Sequence, residues 1–173
     1  MKTAMIFYVA GHSGGHIIPA LTHARQTLVH NPAQKIGFFS TDAPLDTAII
    51  TRSAVPLLHF PLALGKVRIR QWYKYPLFAY RLIRVTVRTI SILRTHRASV
   101  VMSMGGFVSL PVCIAAWLLR IPIEVYELNV EPGLAVKVLS RFADTVHLCF
   151  ADTQKFLTVR GMPTVYPVRF TQA

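Results

Sequence analysis

Acidic residues are scarce in this chain. It has seven among 173, against 19 lysines and arginines, for a formal net charge of +12. The shortage is concentrated: between Asp46 and Glu124 there is no Asp or Glu at all. A chain this short of carboxylates cannot balance its cations internally, which suits it to an anionic partner. Cysteine is scarcer still. Cys113 and Cys149 both lie in apolar runs, too few for a disulfide-stapled scaffold, and read as buried free thiols. They and seven scattered histidines lack metal-ligand spacing, so neither a metal nor another cofactor is expected. Long apolar runs are missing too, although hydrophobic residues make up 53% and mean hydropathy is +0.44. The longest helical apolar stretch is about 110–119. A membrane-spanning helix needs roughly 20 such residues, so none is expected. The apolar stretch 4–10 is short and runs into a glycine turn, so it does not read as a secretory leader. No internal repeat or low-complexity tract is present.

What the chain does have is alternation. Strand-like runs at 4–10, 35–40, 57–61, 99–104, 121–127 and 145–150 alternate with helix-period segments at 15–30, 44–52, 76–95, 108–120 and 133–142. The strand runs are continuously apolar, as parallel strands buried on both faces are. The expected fold is α/β: a doubly wound, mostly parallel, Rossmann-like sheet. Ligands of such sheets bind outside the carboxyl ends of the strands.

Two glycine-rich turns fall on that edge. Gly11-His12-Ser13-Gly14-Gly15-His16 follows the first strand, and Met104-Gly105-Gly106-Phe107-Val108-Ser109 follows the fourth. Glycine lets backbone amides approach a ligand, and a helix N-terminus adds unpaired donors and positive partial charge. Together they suit a phosphate-bearing ligand. The first turn is not G-x-G-x-x-G, and no acidic residue ends the second strand, which argues against a dinucleotide site. No Lys-Ser/Thr pair follows the glycines, so it is not a P-loop either. His16 opens a helix beside two glycines, where a neutral imidazole could accept a proton. Glu127 ends an apolar strand and is followed by Asn129. That position suits sugar hydroxyls or the orienting of a base, and equally suits a loop or capping carboxylate.

The acid-free stretch carries a basic and aromatic segment that includes Trp72, Tyr73, Lys74 and Phe78. Arg81, Arg84 and Arg88 fall within about 60° of one another on a helical wheel. The lack of acidic partners argues against a salt-bridged face, and the alternative is an ordinary amphipathic helix with a solvated face. The mixture suits an anionic membrane surface. No nucleic-acid motif accompanies it, so nucleic acid is not the expected partner.

In combination these motifs resemble the amino-terminal half of MurG-type glycosyltransferases, of glycosyltransferase family 28. The family's first loop, G-G-[TS]-G-G-H-x-x-P-[AG]-L, is matched from Gly11 to Leu21 except at His12. Its second, G-G-[YF]-V-S-x-P, is matched by Gly105-Gly106-Phe107-Val108-Ser109-Leu110-Pro111. Its third is matched by Ile121-Pro122, Glu127, Asn129, Pro132-Gly133-Leu134 and Lys137. There Tyr126 stands in place of His, Leu128 in place of Gln and Val136 in place of Asn, each losing a polar group near the expected cleft. Pro167-Val168-Arg169 is similar to the family's domain linker.

The resemblance implies an acceptor-binding domain over 1–169, the start of a linker at 170–173, and a carboxyl-terminal donor domain outside this chain. It implies transfer of N-acetylglucosamine from UDP-N-acetylglucosamine to a lipid-linked muramyl-pentapeptide, lipid I to lipid II, in peptidoglycan synthesis. His16 and Glu127 become the candidate catalytic residues. Ser13, Gly14, Gly15, Gly105, Gly106, Phe107, Ser109 and Asn129 become the candidate substrate contacts. The donor would be held mainly by the missing domain or by a separate donor-domain subunit. The implied location is peripheral, at the cytoplasmic face of the inner membrane. The alternative is a non-catalytic membrane-associated module for polyprenyl diphosphate or anionic lipid, or an inactive truncated copy.

Overall fold

The computed structural model describes residues 4–11, 13–64 and 75–167. Strands β1 (Met5–Val9), β2 (Lys35–Thr41), β3 (Leu58–Leu62), β4 (Ala98–Ser103), β5 (Ile123–Glu127), β6 (Thr145–Leu148) and β7 (Met162–Pro163) form one sheet. Helices α1 (Gly14–His30), α2 (Pro44–Arg52), α3 (Tyr75–Thr95), α4 (Ser109–Leu118) and α5 (Leu134–Leu139) connect the first six strands, and a 3-10 helix, Ala151–Phe156, connects β6 to β7. Every strand pair is parallel. The spatial order is β3-β2-β1-β4-β5-β6-β7. This is the doubly wound α/β fold expected from the apolar runs, with β7 and the 3-10 helix added. The winding reverses between β1 and β4, and such a switch point opens a crevice beyond the carboxyl ends of its strands.

The strands are apolar throughout because both faces are covered. Side chains alternate between faces with a period of two. Phe7, Val9, Phe39, Val101, Ile123 and Val125 pack against α3 and α4 through Val85, Leu93, Val112 and Ala115. Tyr8, Ala10, Phe38 and Tyr126 face the other way, against Ile17, Ala20, Leu21 and Ala24 of α1 and Ile50 of α2. Full burial of a side chain such as Phe or Leu contributes roughly 1.5–3 kcal/mol. These two layers therefore hold the strand ends, and the loops they carry, in fixed relation. Cys113 is buried in the first layer, whereas Cys149 is only half-buried; both are free thiols.

Three helices are followed by a left-handed residue that is not glycine. Ala54, Arg97 and Arg120 take left-handed φ values of 53°, 51° and 55° just past α2, α3 and α4. Helix ends at these points therefore carry no glycine signal. The expected helix 108–120 runs Ser109–Leu118, and the expected 133–142 runs only Leu134–Leu139. Beyond Leu139 the backbone tightens into turns in which Phe142 N–H donates to the Leu139 carbonyl.

Candidate active site

The two glycine turns meet at the switch point, because β1 and β4 are neighbours and each turn leads into the helix that follows. Their backbones touch: a Cβ on Gly106 would lie 2.8 Å from the Gly11 carbonyl oxygen. Gly105 and Gly106 have φ values of 88° and 86°, a region that side chains rarely tolerate. Ser109 is wholly buried and donates its hydroxyl to the Gly105 carbonyl at 2.9 Å. The Gly105 amide in turn lies 3.3 Å from Ser103 Oγ. Of the expected substrate contacts, Ser109 thus faces into the turn and braces it.

A cleft of about 280 Å³ opens beside this seam, lined by His16, Gly105, Gly106, Phe107, Glu127, Asn129 and residues 133–136. The fold brings these together from the ends of β1, β4 and β5. Ser13, Gly14 and Gly15 are not among the lining residues. They form the first turn of α1 just outside it, with Ser13 in extended conformation and its side chain unused as a cap. Two roomier hollows lie elsewhere: one of about 320 Å³ between α1 and α2, and one of about 880 Å³ at the opposite sheet edge. The smaller cleft is the better candidate because of its chemistry. Among the described residues, two buried side-chain polar atoms lack a partner, His16 Nδ1 and Glu127 Oε2. Both belong to residues of this cleft. Buried polar groups are normally paired, so a pair of orphans in one concavity marks a place for a ligand.

Glu127 is 2% exposed. Its Oε1 accepts from the Asn129 backbone N–H at 2.9 Å and from the Asn129 side-chain amide at 3.0 Å. Burial pushes its carboxyl above the usual carboxylate range; the Asn129 donors, His16 and the Gly133 amide pull it back only in part. The raised value means that Glu127 favours the fold fully below the ordinary glutamate range, and that this contribution is lost as pH rises through the folded value. Glu127→Gln should therefore raise the melting temperature near pH 8 and leave it unchanged near pH 4, as read by calorimetry.

Tyr126 and Leu128 do not line the cleft. Period-two alternation turns both to the α1 side of the sheet, where they are 6% and 4% exposed. The expectation that these positions cost the cleft a polar group is corrected; of the three departures only Val136 borders it. Tyr126 instead joins a polar cluster drawn from four elements. His147 stacks on it at 4.2 Å and sits 3.1 Å from Glu124, while His23 lies between it and the Tyr8 hydroxyl. The His147 contact holds the Glu124 carboxyl below the usual range, and burial lowers His23.

Two site features escaped sequence reasoning. Thr153 of the 3-10 helix is wholly buried and donates to the Asn129 carbonyl at 2.9 Å. Phe78 of α3 packs on Phe107, ring centroids 5.3 Å apart, which ties the basic helix to the second glycine turn. Arg81, Arg84 and Arg88 are exposed, and so are Leu77, Tyr80, Ile83 and Val87 around them. Trp72, Tyr73 and Lys74, together with His12, Val168 and Arg169, lie outside the described residues. Among those described, no helix is long and apolar enough to cross a membrane, and no group of three or more His, Cys, Asp or Glu could hold a metal ion.

Residues 6–148 match the glycosyltransferase family 28 N-terminal domain. The chain belongs to glycosyltransferase family 28. Relatives share the assignment across most of its length. Two proteins named UDP-N-acetylglucosamine--N-acetylmuramyl-(pentapeptide) pyrophosphoryl-undecaprenol N-acetylglucosamine transferase are similar to it. That of Treponema pallidum is 32% identical over 148 residues, covering 86% of this chain and 38% of the relative. That of Carboxydothermus hydrogenoformans is 28% identical over 172 residues, covering 97% and 46%. The chain thus spans less than half the length of these family members. In structure it is similar to Acinetobacter baumannii MurG, with a TM-score of 0.75 at 21% identity over 94% of this chain and 45% of that one. It is also similar to Staphylococcus aureus MnaA, solved with UDP, with a TM-score of 0.63 at 9% identity over 89% and 40%. At these identities the structural likeness speaks to the fold, which is that of a family 28 amino-terminal domain.

Proposed function

We propose that this domain is the acceptor-binding half of an inverting N-acetylglucosaminyltransferase acting on a lipid-linked muramyl-pentapeptide. Its site would be completed by a donor domain that binds UDP-N-acetylglucosamine. The observation that carries the reading is the cleft at the switch point with two unpartnered buried polar atoms, His16 Nδ1 and Glu127 Oε2. The family assignment and the names of the relatives supply the reaction class.

The cleft is electrically two-ended. Glu127 closes one end with a carboxyl group, which disfavours phosphate and favours hydroxyl donors. The first turn of α1, which carries the positive partial charge of a helix N-terminus, lies just outside the cleft on the His16 side. The acceptor diphosphate then sits at Gly14 and Gly15, and the muramyl sugar reaches Glu127 and Asn129. His16 takes the proton of the muramyl 4-hydroxyl as that oxygen attacks the anomeric carbon of the donor sugar. The bond to UDP breaks, UDP leaves with the electron pair, and the configuration inverts. Reconstitution tests this: the chain is co-expressed with a family donor domain and assayed for transfer to a lipid I analogue. Transfer that requires both halves is the expected result; a folded pair without transfer would contradict it.

A second observation bears on location. The exposed face of α3 mixes arginines with Leu77, Tyr80, Ile83 and Val87 and carries no acid. Such a face suits the boundary between headgroups and acyl chains. It would deliver a membrane-embedded acceptor to Phe107 through Phe78. Each basic residue near an anionic surface contributes about 1 kcal/mol. Replacing Arg81, Arg84 and Arg88 together with alanine should thus weaken partitioning onto phosphatidylserine vesicles roughly 10²-fold. Sedimentation of vesicles at rising salt measures it. The same face would serve the non-catalytic membrane module, and reconstituted transfer separates the two readings.

A further inference from the structure

The two hydrogen bonds that Glu127 Oε1 accepts both come from Asn129, the Gly133 amide adds a weaker approach to the carboxyl group, and Oε2 is buried without a hydrogen-bond partner. Asn129 is itself exposed and sits in a loop between β5 and α5, so something must fix it. The described contact that does so comes from outside the loop: Thr153 Oγ1 donates to the Asn129 carbonyl at 2.9 Å. Thr153 is 0% exposed although it lies in a 3-10 helix whose neighbours Asp152 and Lys155 are exposed. A buried hydroxyl on an otherwise polar, solvent-facing turn is spent on one bond. That helix is anchored in turn by Thr153 N–H donating to the Phe150 carbonyl, and by Gln154, whose side chain spans the Val159 carbonyl and the Gly161 amide.

We infer that Thr153 is a positioning residue for the catalytic cleft: its hydroxyl fixes the Asn129 loop, and Asn129 then orients the Glu127 carboxyl group. This rests on the proposed function only where Glu127 is given a role in transfer; the structural relay stands without it. Besides Asn129, the groups that face Glu127 are His16 from α1, the Gly133 amide at the start of α5 and Cys149 past the end of β6; none of them is hydrogen-bonded to the Thr153 hydroxyl, whose described partner is the Asn129 carbonyl.

The chain has three glutamates, Glu124, Glu127 and Glu131, so carboxyl carbon labelling yields three resonances that can be titrated separately. In the unaltered chain the Thr153 hydroxyl proton should exchange slowly enough to be observed. Thr153→Val keeps the shape and removes the hydroxyl. It should move the Glu127 titration to higher pH, because the Asn129 donors that stabilise the carboxylate loosen. Glu124 and Glu131 should not move, and Thr153→Ser should restore Glu127. In a reconstituted enzyme, Thr153→Val should lower kcat roughly tenfold or more with KM for the acceptor within about twofold. A Glu127 titration unchanged in folded Thr153→Val, or a freely exchanging Thr153 hydroxyl in the unaltered chain, would overturn the inference. The second measurement needs no variant to fold. If the titration shifts as stated but no transfer is ever reconstituted, the relay holds and the proposed function fails.

Discussion

His16→Ala should reduce transfer by the reconstituted enzyme roughly 10²–10⁴-fold, the range that a positioned general base contributes. Its melting temperature should stay within a few degrees of the unaltered chain. The two halves of that expectation have separate grounds. The imidazole makes no hydrogen bond among the described residues, and its Nδ1 is buried without a partner. The ring lies against Gly105, where a Cβ would sit 3.3 Å from it. Removing the ring therefore breaks no described hydrogen bond. For catalysis it removes the one imidazole that lines the cleft among the described residues. His16→Gln, which keeps bulk and polarity without a basic nitrogen, should be nearly as inactive. Activity within about fivefold of the unaltered enzyme in either variant would place the base elsewhere, with Glu127 next in line.

Gly106→Ala should have the largest effect on stability of any single methyl group added at the site. The residue combines a φ of 86° with a backbone obstacle, the Gly11 carbonyl oxygen at 2.8 Å from the new Cβ. The left-handed region alone costs a non-glycine residue about 1–2 kcal/mol. The obstacle adds to this because it is main chain of the neighbouring turn and cannot swing aside. A total on the order of 3 kcal/mol lowers the melting temperature by roughly 6–12 °C for a domain of this size. The same methyl group would part the two glycine turns and misplace His16, so acceptor binding should fall as well. Gly133→Ala is the control. Gly133 also lines the cleft, but its φ is −65° and a Cβ there meets nothing within 4 Å. It should melt within about 2 °C of the unaltered chain. Equal melting of both variants would mean that the turns are not held in contact.

The fold was legible because its strands are buried on both sides. Runs such as Phe38-Phe39 and Phe7-Tyr8-Val9 are apolar without interruption, and that pattern belongs to a parallel sheet. What stayed hidden has physical reasons. β7 is two residues, Met162 and Pro163, both exposed, too short to carry any period. The helix ends at Ala54, Arg97 and Arg120 take left-handed conformations without the glycine that would announce them. At the site, the glycine turns and Glu127 were readable from spacing. Their contact was not, since it depends on β1 and β4 being neighbours across 90 or so residues of chain. The misassigned positions are instructive. Tyr126 and Leu128 flank Glu127 in sequence, yet the pleat sends them to the opposite face. Thr153 carried no signal: a single threonine in Ala151-Asp152-Thr153-Gln154-Lys155 reads as a polar loop, and only the packing of the 3-10 helix beneath Asn129 gives it a partner.

The most direct test of the account is a titration of the ¹⁵N-labelled chain with a short-prenyl muramyl-pentapeptide diphosphate, followed amide by amide. Shifts should saturate at Ser13 to His16, at Gly105 to Phe107 and at Glu127 to Asn129, with the diphosphate alone moving only the first group. Shifts confined to the groove between α1 and α2, or no saturable shift at either glycine turn, would contradict it.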